Sequence, residues 1–195
     1  MSERVRLLLL RHGTAVAGMD DPGLSAEGRS GVEATLRHPR LADWPRLDLL
    51  LYSPLRRAVE TAERVEARMA PLDSRVTPEL LPDAAAATAG RLLIRALATP
   101  TAVEDTHAPR ASPAAPEVPD TQAFPNGVPD THAERPAACI CLVAHLPLLP
   151  ALGRWLCDAD LDFATGCGWV LEGDPDLAWQ GTFATIGPVD HGGIW

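Results

Sequence analysis

The stretch Val5-Arg6-Leu7-Leu8-Leu9-Leu10-Arg11-His12-Gly13 decides how this chain is read. Leu7 to Leu10 shows no alternation of polar and apolar residues. A strand buried on both faces reads this way, and such strands belong to parallel sheets with helices on each side. The run stops in a guanidinium, an imidazole and a glycine. Ligands of open α/β sheets gather beyond the carboxyl ends of strands. Arg11, His12 and Gly13 therefore stand where a ligand would be met.

Two later apolar runs end in the same manner. Leu47 to Tyr52 leads into Ser53-Pro54-Leu55-Arg56-Arg57-Ala58, and Cys139 to Ala144 leads into His145. The loop Thr14 to Gly23, dense in turn formers, precedes Leu24-Ser25-Ala26-Glu27-Gly28. On these four pieces, taken in this order, the chain resembles the histidine phosphatase superfamily. Size and motif spacing are most similar to the short phosphohistidine phosphatases of the SixA type, over roughly residues 4–98 and 138–186. The resemblance implies an α/β fold: a three-layer α/β/α sandwich with a mostly parallel central sheet and an antiparallel C-terminal strand. It also implies catalytic roles for Arg11, His12, Arg57 and His145.

Composition narrows the chemistry. The chain of 195 residues carries a net charge of −9, which argues against nucleic acid as a partner. All 17 basic residues are arginine. Without lysine there is no P-loop and no Schiff-base chemistry. A phosphate site must then be built from arginine, histidine and backbone amides, and the arginine fork suits phosphate oxygens in pairs. Cys139, Cys141, Cys157 and Cys167 lack paired zinc-type spacing and read as buried reduced thiols. No apolar run reaches the ~20 residues of a membrane span, and Val5 to Leu10 is too short for a signal-peptide core. The expected location is the cytoplasm, and no cofactor or metal is expected.

The remaining elements follow from caps and periodicity. Ser25 reads as the N-cap of a helix running to about Arg37, with His38 at its end. Ser53 and Pro54 read as cap and first residue of a second helix, to about Met69, whose first turn carries Arg57 toward the sheet end. An extended piece over Arg75 to Pro78 and an alanine-rich helix from Ala84 to Ala98 come next. Pro147 opens a further helix to about Cys157. Phe163 to Glu172 alternates as a strand, with Ala178 to Ile186 as its antiparallel partner.

The whole chain, 1–195, reads as a single domain with one insert. Residues 99–137 hold eight of the 19 prolines and few large apolar side chains. The motifs Val103-Glu-Asp-Thr-His-Ala108, Val118-Pro-Asp-Thr-Gln-Ala123 and Val128-Pro-Asp-Thr-His-Ala133 recur within it. Such a Pro/Ala-rich segment buries too little surface to offset its ordering entropy, so disorder is expected.

The expected chemistry is phosphoryl transfer through a covalent intermediate on His12. A neutral imidazole attacks, Arg11 and Arg57 clamp the phosphoryl oxygens, and His145 donates a third hydrogen bond. Gly13 and Thr14 complete the phosphate cradle. The leaving-group acid is the weak point. Pro82 stands where related enzymes carry a glutamate, leaving Asp83 as first choice and Glu79 as second. A phosphoramidate needs less acid help, so protein phosphohistidine is the leading substrate. A small-molecule phosphomonoesterase or mutase of the phosphoglycerate mutase-like group, acting on a small phosphorylated metabolite, is the alternative, and a catalytically weak phosphate-binding adaptor a further one. Oligomeric state stays open.

Overall fold

A computed structural model describes residues 4–18, 20–44, 46–98, 138–174 and 183–190. The disordered insert expected at residues 99–137 lies outside them. Six strands form one sheet: β1 (Val5–Arg11), β2 (Leu49–Tyr52), β3 (Asp73–Val76), β4 (Ala138–Ala144), β5 (Gly168–Gly173) and β6 (Ala184–Val189). Their order is β3-β2-β4-β1-β5-β6. The pairs β1–β4, β2–β4 and β2–β3 are parallel, whereas β5 runs antiparallel to both β1 and β6. The mixed α/β fold with one reversed strand is thus the expected one.

Helices cover both faces because the strands are apolar on both. Leu8, Leu10, Leu50, Cys141 and Val143 face α1 (Ala26–Thr35) and α2 (Arg56–Met69) through Val32, Ala58, Ala62 and Val65. Leu7, Leu9, Leu51, Ile140 and Leu142 face α3 (Ala86–Ala98) and α4 (Leu148–Cys157) through Ala89, Leu93, Leu149 and Leu152. The four central leucines of β1 are completely buried. Each contributes about 1.5–3 kcal/mol relative to an exposed position. All four cysteines are free thiols, three of them buried. Among the described residues no helix is long and apolar enough to cross a membrane.

Several boundaries differ from expectation, each for a physical reason. Ser25 does cap α1, its hydroxyl accepting the Gly28 N–H at 2.9 Å. Helix α2 begins two residues later than Ser53-Pro54 suggests. Its N-cap is Leu55, while the Ser53 hydroxyl accepts the Leu55 N–H in the turn before it. His38 caps the short 3-10 helix Pro39–Leu41 by accepting the Arg40 N–H, rather than closing α1. The extended piece before Pro78 lies at Asp73–Val76, where it pairs with β2. The strand placed at Phe163 to Glu172 starts only at Gly168. A turn through Gly166, at φ +72°, breaks the alternation there. Its antiparallel partner is Ala184–Val189, which shares Ala184 to Ile186 with the expected strand and extends beyond it; residues 178–182 of that expectation lie outside the described ones.

Candidate active site

The carboxyl ends of β1 and β4 lie side by side, with Arg11 in register with Ala144. His12 and His145 follow directly, and the His12 N–H still reaches the Ala144 carbonyl at 3.2 Å. Their rings stand 4.8 Å apart, centroid to centroid, tilted by 49°. Both are withdrawn from solvent, His12 being 8% and His145 1% exposed. Helix α2, following the carboxyl end of β2, brings Arg57 to the same place. Its Nε donates to His12 Nε2 at 3.2 Å.

That bond assigns the tautomer. Nε2 accepts from arginine, so the ring proton sits on Nδ1, which donates to the Gly13 carbonyl at 2.8 Å. Burial lowers the pKa of His12 to about 4, the Gly13 hydrogen bond opposing and the Arg57 and Arg11 charges reinforcing the fall. His145 falls to about 3, first from burial and then from His12, Arg57 and Arg11. Both imidazoles are neutral at physiological pH, and Nε2 of His12 keeps a lone pair.

Arg11 anchors the other side. Its Nη1 donates to the Phe163 carbonyl at 2.8 Å, in the turn before β5. Its Nε and both ring nitrogens of His145 are buried without a hydrogen-bond partner. Orphaned buried polar atoms are rare. Three of them beside a neutral histidine mark a place prepared for a polar ligand.

Two expected cradle groups are already engaged. The Gly13 N–H donates to Thr61 Oγ1 at 3.2 Å, and Thr61 in turn donates to the Arg57 carbonyl at 2.8 Å. The Thr14 hydroxyl pairs with that of Thr165 at 3.1 Å. Gly13 is required for close approach, since a Cβ there would meet the Gly28 carbonyl oxygen at 2.6 Å. Thr61 is a supporting residue that sequence reasoning missed. A threonine on the buried face of a helix, one turn beyond Arg57, was its only signal.

Of the expected acids, one is exposed and the other is engaged elsewhere. Asp83 is exposed in the turn before α3. Glu79 accepts from the Thr77 hydroxyl, and that bond, ahead of its other surroundings, lowers its pKa. Among the described residues neither forms a hydrogen bond or ion pair with Arg11, His12, Arg57 or His145.

A neutral histidine flanked by arginines at the carboxyl ends of parallel strands is a setting suited to phosphoryl transfer. The model of the histidine phosphatase superfamily (branch 1) matches residues 7–168, and the chain belongs to that superfamily. It is by class a phosphatase. No curated protein sequence matches. Among solved structures, the protein histidine phosphatase SixA complexed with tungstate is 18% identical, with a TM-score of 0.66 over 95% of this chain and 97% of that one. A mycobacterial glucosyl-3-phosphoglycerate phosphatase is 20% identical, with a TM-score of 0.57 over 94% of this chain and 98% of its own. A structure described as mycobacterial hydrolase 1 is 19% identical, with a TM-score of 0.61 over 94% of this chain and 97% of its own. At these identities the likeness is one of fold.

Proposed function

We propose that the protein is a metal-independent phosphatase that forms a covalent phosphohistidine on His12 and acts on protein phosphohistidine. One observation carries the reading: His12 is neutral, holds its proton on Nδ1, and turns Nε2 toward Arg57 beside three unpartnered buried polar atoms. Nε2 attacks phosphorus in line, the N–P bond forms, and the bond to the leaving group breaks. Arg11, Arg57 and a His145 N–H meet the charge on the phosphoryl oxygens, the task a metal ion performs in other phosphatases. A water oxygen then attacks phosphorus, the N–P bond breaks, and inorganic phosphate leaves with the water's oxygen.

A phosphoramidate substrate fits a site in which neither Asp83 nor Glu79, the acids expected to serve a leaving group, bonds to the clamp residues. An imidazole leaves as a neutral base once its far nitrogen is protonated, whereas an alkoxide needs an acid at the moment of cleavage. The second reading, a small-molecule phosphomonoesterase, would use the exposed Asp83 as that acid. Its support is the shared fold with the glucosyl-3-phosphoglycerate phosphatase. The proposed setting is the cytoplasm.

Purified protein tested on a histidine-phosphorylated protein and on a panel of sugar phosphates separates the readings. Rapid quenching followed by mass spectrometry should place the phosphoryl group on His12. A His12→Ala variant that keeps the parent's turnover would refute the mechanism. Preference for the sugar phosphates would select the second reading.

A further inference from the structure

The loop after β1 is fastened to the first turn of α2 by two carboxylates that the proposed mechanism leaves without a role. Helix α2 does not cap itself, since Leu55 offers no side-chain acceptor. The acceptor comes from the loop. Asp21 takes the Arg56 N–H on both carboxylate oxygens, at 3.0 and 3.2 Å. Acceptor and negative charge both suit the unsatisfied amides and partial positive charge of a helix N-terminus. Asp21 Oδ1 also stands 3.9 Å from Arg57 Nη1, on the guanidinium whose Nε touches His12.

One turn further along α2, Glu60 clamps the same loop. It accepts the Leu24 N–H at 2.9 Å, Arg29 at 3.2 Å and Arg56 Nε at 3.0 Å. The fit is close: a Cβ on Gly23 would lie 2.2 Å from Glu60 Oε1. The loop therefore holds Asp21 in a fixed place over the start of α2.

We infer that Asp21 is a positioning residue for the phosphoryl clamp. It caps α2 from outside the helix, holds Arg57 against the nucleophilic ring, and releases that guanidinium to the phosphoryl group when substrate arrives. The inference rests on the roles given above to His12 and Arg57. Release is cheap because the Asp21 side chain is 49% exposed and its attraction for Arg57 is screened by water. A phosphoryl group offers the same guanidinium paired oxygens and more charge.

The two duties of Asp21 separate chemically. Capping needs only an acceptor oxygen, which asparagine keeps, whereas competition for Arg57 needs the charge. The test uses the full chain with a small aryl phosphate as substrate and inorganic phosphate as inhibitor. Asp21→Ala loses the cap, and kcat should fall on the order of tenfold as Arg57 drifts. Asp21→Asn should recover most of that loss and bind inorganic phosphate roughly threefold more tightly than the parent, the competing charge being gone. A role confined to helix stability would lower the melting temperature of Asp21→Ala but leave kcat and phosphate affinity at parental values, and that result overturns the inference. His12→Ala run in parallel keeps the two ideas apart. If it retains turnover, the nucleophile is wrong whatever Asp21 does. If the parent itself does not turn over the probe, calorimetric phosphate binding still decides, and equal Kd for parent and Asp21→Asn counts against the positioning role.

Discussion

Two buried neutral imidazoles make the stability of this protein depend on pH in a window that few other groups share. Both pKa values are lowered on folding, from an ordinary 6.5 to about 4 for His12 and about 3 for His145. Well above pH 6.5 both rings are neutral folded or unfolded, and stability is independent of them. As pH falls below 6.5 the unfolded chain gains protons that the folded site refuses, so stability drops until the folded pKa values are reached. At pH 5 the deficit is about 1.5 pH units, or about 2 kcal/mol per histidine at 1.36 kcal/mol per unit. Near pH 5 the slope approaches about 2.7 kcal/mol per pH unit, since two protons are taken up on unfolding. Urea unfolding at half-unit steps from pH 7.5 to 5 measures it, above the range where most carboxylates titrate. His145→Gln should remove about half of the slope, whatever it does to absolute stability. A variant with the parental slope, or a parent whose stability is flat down to pH 5, would show that the imidazoles are not held neutral.

Arg57→Ala should lower kcat by ~10²–10³, the usual loss when one preorganised donor to a phosphoryl or oxyanion centre is removed, with a melting temperature near the parent's. Thr61→Val keeps shape but strips the buried Gly13 N–H of its acceptor. It should cost about 1–3 kcal/mol in urea unfolding, the price of one unsatisfied buried donor, and lower kcat as well, because Gly13 also holds the His12 ring. Deleting Thr101 to Glu134 should leave solubility and melting temperature close to parental values. The segment holds few large apolar side chains and so has little surface to bury, and closure entropy changes by only ~0.6 kcal/mol per doubling of loop length.

The sequence told most where one physical rule acted alone. Leu7 to Leu10 read as a doubly covered strand, and that strand is inside the sheet, between β4 and β5. Ser25 faced no rival as a cap and is one. Arg11, His12 and His145 were legible because each follows an apolar run directly, so the strand carries it to the sheet end. Local rules failed where tertiary partners replaced them. Ser53-Pro54 has the form of a helix start, yet a carboxylate from a distant loop supplies the cap two residues on. Phe163 to Cys167 alternates like a strand, yet its carbonyls serve the site: Phe163 receives Arg11 Nη1, and Cys167 receives the Arg11 N–H at 2.9 Å. Thr61, Asp21 and Glu60 stayed hidden because their partners are 30 or more residues away in the chain.

The placement of β1 also bears on how the chain reaches this structure. Its first strand is made first, yet its sheet partners come last. Leu8 sits opposite Cys141 on one side and Val170 on the other. While the ribosome works through the intervening residues, a run of four leucines has neither neighbour strand to pair with. Long-range pairing of this kind is slow, and an unpaired apolar strand invites association with other chains. The nascent protein thus passes through a period in which its most hydrophobic segment needs shelter, and the histidine beside it has no site to belong to until β4 arrives.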